Sequence, residues 1–125
     1  MVFKRKNNNI KFEFECIDGE ILKFETILSE DLANKLIDIG KIDYKNLSDE
    51  EYKNILIKAY DQILGKNAMD DIKELVFGGD DLSLVDIIDI GVYIAGEVNK
   101  YNDKINNLHG VLDKYNGEKM NALSK

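Results

Sequence analysis

From Lys11 to Thr26 polar and apolar residues alternate. Phe12, Phe14 and Cys16 fall between Lys11, Glu13 and Glu15, and Leu22, Phe24 and Thr26 alternate again on the return. A period of two predicts half-buried strands. A two-residue turn at Asp18-Gly19 would set Phe14 against Lys23 and mix the faces. A three-residue loop, Ile17-Asp18-Gly19 with Gly19 left-handed, sets Phe14 against Leu22 and Phe12 against Phe24. Only that register keeps the apolar set together, so it is the one expected. A lone hairpin is marginal in water, so its apolar face needs helices or another chain.

Beyond the hairpin the spacing becomes helical. Ser29 precedes Glu30 and Asp31, and Leu32, Leu36 and Ile39 then recur up to Gly40, which predicts a capped helix. Ser48-Asp49-Glu50-Glu51 is a capping box in which Ser48 caps and Glu51 reaches back. Leu47 and Tyr52 are spaced as its hydrophobic staple. Tyr52, Ile55, Leu56, Ala59, Tyr60 and Ile63 form one face of the helix, which Gly65 ends. A short third helix is expected around residues 67–75, carrying Ile72 and Leu75.

A long final helix is expected from near Ser83 to about Leu108. Leu84, Ile87, Ile88, Val92, Ala95 and Val98 make its main stripe, and Val85, Ile90, Tyr93 and Ile94 widen it well past one face. A helix apolar nearly all round is central in its domain or shared with a neighbour. Gly91 and Gly96 each cost a helix about 1 kcal/mol relative to alanine, and close approach of another backbone would explain them. The pattern predicts an α+β fold, mostly α-helical. An N-terminal β-hairpin packs on a bundle of about four helices in a single domain over 1–108, followed by a polar, flexible tail over 109–125.

The chain has 125 residues, enough for one modest core, with 44% hydrophobic and 33% charged positions. Net charge is −7 and the sequence pI about 4.7. That balance repels phosphate backbones, so no nucleic-acid partner is expected, and Lys4, Arg5 and Lys6 are too few to reverse it. Cys16 is the only cysteine, so no internal disulfide can form; its place in the alternation makes it a small buried hydrophobe. The first residues turn polar at once and lack a signal-peptide apolar run. The stretch from Leu82 to Val98 is broken by Asp86, Asp89 and Glu97 and falls short of the roughly 20 residues that cross a bilayer. A cytoplasmic protein without membrane partners is the expectation.

Residues 76–83, VFGGDDLS, pose the chemical question. The glycine pair Gly78-Gly79 beside Asp80-Asp81 lacks the lysine and further glycines of a phosphate loop. Asp70, Asp71, Asp80, Asp81, Asp86 and Asp89 lack calcium-loop spacing. Asp86 and Asp89 sit instead where a capping box and a solvated helix stripe place them. A helix joint anchored by Phe77 is the better reading. His109 stands alone with no Ser or Cys motif near it. No enzyme, metal or cofactor is expected.

This layout resembles the tail assembly chaperones of long-tailed phages and related prophages of low-GC Gram-positive bacteria. The likeness spans roughly residues 10–105 in organisation, and its motif is the joint Phe77, Gly78 and Gly79, followed by an acidic step and the last helix. The resemblance implies a non-enzymatic protein that coats the tape measure protein and assists polymerisation of the tail tube around it, as the short rather than the frameshift-extended form. A homo-oligomer is also expected. Candidate protein-binding residues are Phe77, Gly78, Gly79, Ile87, Ile90, Gly91, Ile94 and Val98. The alternatives are a small acidic adaptor or inhibitor of a host protein, or a structural tail component.

Overall fold

The computed structural model describes residues 2–3 and 9–101. Strands β1 (Asn9–Glu15) and β2 (Ile21–Ile27) pair antiparallel, with Phe12 opposite Phe24 and Phe14 opposite Leu22. The expected three-residue loop closes them: the Cys16 N–H donates to the Glu20 carbonyl at 2.8 Å, and Gly19 is left-handed. Register and turn follow from the same requirement, that one face of the ribbon hold all the large apolar side chains.

Helices α1 (Glu30–Gly40), α2 (Asp49–Leu64) and α3 (Ala68–Leu75) follow, with a 3-10 turn at Tyr44–Asn46 before α2. The final helix, α4, covers 84–101 of the described residues. The continuation of α4 expected to residue 108, the tail over 109–125 with His109, and the basic cluster Lys4, Arg5 and Lys6 lie outside the described residues. The architecture is thus α+β and mostly helical, as expected.

Three of the helix starts have a local cause. Ser29 Oγ accepts the Leu32 N–H, and Ser48 Oγ accepts the Glu51 N–H while its hydroxyl donates to the Glu51 carboxylate. At α4 the box is reciprocal: Ser83 Oγ accepts from Asp86 N–H, and the Asp86 carboxylate accepts from Ser83 N–H, both at 3.1 Å. The start of α3 is different. Asn67 makes no side-chain cap, and Asp61 of α2 accepts the Met69 N–H at 2.8 Å instead. That bond ties the start of α3 back to the last turn of α2.

One buried cluster joins the hairpin to all four helices. Ile10 and Phe12 from β1, Leu32 from α1, Leu56 and Tyr60 from α2, Ile72 from α3 and Ile87, Ile90, Ile94 and Val98 from α4 meet in it. Burying each such side chain contributes about 1.5–3 kcal/mol. Cys16 is buried as a free thiol, in keeping with a packing role. The aromatic side of the hairpin locks onto α4: the Tyr93 ring stands edge-on to Phe14 at 5.2 Å and to Phe12 at 6.4 Å. Among the described residues no helix is long and apolar enough to cross a membrane.

Candidate functional site

The joint after α3 is structural. Gly78 and Gly79 both have left-handed φ, at +67° and +83°, which lets the chain reverse while the Gly79 N–H returns to the Lys73 carbonyl at 2.9 Å. The hairpin loop seals it, since the Ile17 N–H donates to the Leu75 carbonyl at 3.0 Å. A Cβ at Gly78 would sit 2.6 Å from Ile17 Cδ1. Phe77 is half-buried against the core. Asp81 forms an ion pair with Lys73 at 3.0 Å. The lysine holds that carboxyl below its usual range, and the carboxylate holds Lys73 above its own. Asp86 is spent on its cap. Among the described residues no group of three or more His, Cys, Asp or Glu is placed to hold a metal ion.

The structure divides the apolar positions of α4 into two sets, and four of the candidate binding residues fall in the first. Ile87, Ile90, Ile94 and Val98 are between 0% and 6% exposed and are covered by this chain's own hairpin and helices. These four positions, expected at an interface, are packed instead into this chain's own core, where Ile94 also lies at the floor of a groove. The apolar positions of α4 left in solvent are Val85 (67% exposed), Val92 (66%) and Ile88 (40%). These lie on a second stripe, at i, i+3 and i+7, about a quarter-turn or more from the first. A periodicity that is apolar in nearly every direction carries no phase, so the sequence could not say which stripe the neighbours cover.

Gly91 also takes a different role from the one expected. The three atoms nearest its Cβ position outside its own helix all belong to the Tyr60 side chain. The Tyr60 hydroxyl lies where a Cβ would stand, with Tyr60 Cζ 3.0 Å from that point, and it donates to the Ile87 carbonyl at 2.9 Å. Burial pushes the Tyr60 hydroxyl up to about 12, Tyr52 adds to the rise, and the hydrogen bond at Gly91 opposes it. Gly96, by contrast, has nothing within 4 Å of its Cβ position.

The second stripe of α4 borders an open groove. Its walls are Leu36 and Ile39 of α1, Ile42 and Tyr44 of the connecting turn, Tyr52 of α2, and Ile88, Val92 and Ala95 of α4; Leu56, Tyr60 and Ile94 form the buried floor. The volume is about 330 Å³ and none of the lining residues is charged. Tyr44 stacks on Tyr52 with ring centroids 5.8 Å apart, which fixes one end wall. Tyr44 is 56% exposed. An uncharged groove on a chain of net charge −7 offers a partner apolar contact and little else. Sequence reasoning missed Tyr44, Ile42 and Leu36 as lining residues, because they come from separate segments that only the tertiary fold brings beside α4.

A second depression brings Phe77 together with Phe14 and Tyr93, rimmed by Glu13, Glu15, Asp86 and Asp89. Comparison with protein-family models, with curated proteins and with solved structures finds no match to this chain.

Proposed function

We propose that this chain is a non-enzymatic assembly chaperone of the phage-tail type, which holds an apolar helical segment of a tape measure protein until the tail tube takes it up. The observation that carries the reading is the uncharged groove between α1, α2 and α4, with Ile88 and Val92 on its rim. Helix-in-groove recognition uses such a surface, read by side chains at i, i+3, i+4 and i+7 of the bound helix. Exposed apolar side chains grouped around one cleft on a small protein mark a binding site. The resemblance of the Phe77-Gly78-Gly79 joint and the following helix to that family supports the choice of partner. On this reading the tube protein displaces the chaperone in the cytoplasm of a bacterial host. No cofactor or metal takes part.

The test is co-purification with a phage tape measure protein. Val92→Asp and Ile88→Asp place a carboxylate on the groove rim, and each should abolish capture while keeping the native circular dichroism spectrum. Ile94→Asp buries a charge in the core and should unfold the chain. Capture that survives both rim substitutions would overturn the reading. Capture of a host protein alone, through the same rim, would make the chain an adaptor instead.

A further inference from the structure

The two edges of the hairpin are treated differently. In the observed register, Ile10, Phe12 and Phe14 exchange backbone bonds with β2, so the N–H and C=O groups of Asn9, Lys11, Glu13 and Glu15 point away from it. Helix α4 closes that side. The Tyr93 hydroxyl accepts the Glu13 N–H at 2.9 Å and donates to the Glu13 carbonyl at 3.0 Å. The Tyr101 hydroxyl donates to the Asn9 carbonyl at 3.2 Å. The edge of β1 is therefore occupied at two places by side chains of its own chain.

The edge of β2 has no such cover. Its outward backbone groups belong to Ile21, Lys23, Glu25 and Ile27, all four exposed, and no described residue hydrogen-bonds to them. Ile21 and Ile27 are 47% and 68% exposed. An open edge is a template for another strand, and proteins usually blunt it.

We propose that the β2 edge is a self-association site, pairing antiparallel with β2 of a second copy to form a four-stranded sheet. The occupant follows from the strand's own sequence, Ile-Leu-Lys-Phe-Glu-Thr-Ile. About a two-fold axis at Phe24, Ile21 faces the partner's Ile27, Lys23 faces the partner's Glu25, and Phe24 faces the partner's Phe24. Apolar meets apolar and cation meets anion, twice each. The outward-facing residues also meet outward-facing residues, so every such pair exchanges both backbone bonds. Shifting the register by two residues in either direction sets Lys23 on Lys23 or Glu25 on Glu25, which like-charge repulsion disfavours. The pairing is thus self-complementary in one register. It is independent of the groove and of the chaperone reading, because it uses the opposite side of the hairpin from Tyr93 and none of the groove's lining residues.

Sedimentation velocity on the full chain tests it with substitutions that spare the chain's own pairs. Within one chain Glu13 is opposite Lys23 and Lys11 is opposite Glu25. The double variant Glu13→Lys/Lys23→Glu keeps the first pair by inversion but sets a carboxylate at position 23 against the partner's Glu25. Association should weaken roughly ten-fold, two attractive cross-strand pairs having become repulsive, with the circular dichroism spectrum unchanged. Adding Lys11→Glu and Glu25→Lys inverts every charge and should restore wild-type association. In the wild type, amide exchange at Ile21, Lys23, Glu25 and Ile27 should slow as concentration rises. This readout needs no variant. A wild type still monomeric at about 1 mM, exchange at these amides that ignores concentration, or a double variant that associates as well as the wild type would each overturn the proposal. Tape measure capture unaffected by the double variant would leave the chaperone reading standing whichever way the edge experiment falls.

Discussion

Replacing Gly91 by alanine pits two effects of known sign against each other. Inside a helix, alanine is favoured over glycine by about 1 kcal/mol. At Gly96, where a Cβ meets nothing within 4 Å, that gain should appear nearly whole. At Gly91 the new methyl falls on the Tyr60 hydroxyl, with Cζ at 3.0 Å and Cε1 at 3.4 Å. Tyr60 is only 2% exposed, so its ring has no solvent to swing into. Overpacking of this kind costs about 1–3 kcal/mol, and tearing the hydroxyl from the Ile87 carbonyl leaves a buried donor unpaired at a further ~1–3 kcal/mol. Against the helix gain, the expected net loss is about 3 kcal/mol. Urea unfolding followed by circular dichroism measures it, with Gly96→Ala as the matched control. Tyr60→Phe should cost about 1 kcal/mol alone, since the Ile87 carbonyl keeps its helical partner. In that background Gly91→Ala should recover most of its loss, which gives a large coupling energy between two residues 31 positions apart in the numbering. If Gly91→Ala stabilises the protein as much as Gly96→Ala does, Tyr60 is not packed against that turn and the proposed clash does not exist.

Three further outcomes follow from the same geometry. The Tyr60 hydroxyl titrates at about 12 in the fold against 10.0 in the open chain; the stability this confers is complete below pH 10 and is lost as pH rises from 10 through 12. Urea titrations over that window should show the wild type losing up to about 2–3 kcal/mol more than Tyr60→Phe. Ser83→Ala removes the hydroxyl that accepts the Asp86 N–H and should cost about 1 kcal/mol, read as a fall in the urea midpoint at constant slope. Gly78→Ala imposes a side chain at φ +67° and crowds Ile17. It should destabilise by about 1–2 kcal/mol and speed amide exchange at Ile17, whose N–H is bonded across that joint.

Much of the fold was legible because its determinants are local. Hairpin register follows from a two-residue period and a glycine that fits one turn. The helix starts follow from Ser29, Ser48 and Ser83, whose hydroxyls reach only their own first turn, and the end of α2 follows from Gly65. The joint at Gly78-Gly79 was readable for the same reason. What the tertiary structure alone decided concerns direction and distance. The final helix is apolar almost all round, so nothing in its sequence distinguishes the Ile87, Ile90, Ile94 and Val98 stripe that becomes core from the Val85, Ile88 and Val92 stripe that stays in water. That choice is made by where the hairpin and α2 settle. Gly91 is required by a tyrosine from another helix, the α3 start is capped by Asp61 from α2, and the β1 edge is closed by Tyr93 and Tyr101 from α4. Each of these contacts joins segments that share no local hydrogen-bond or steric pattern, so only packing in three dimensions could assign them.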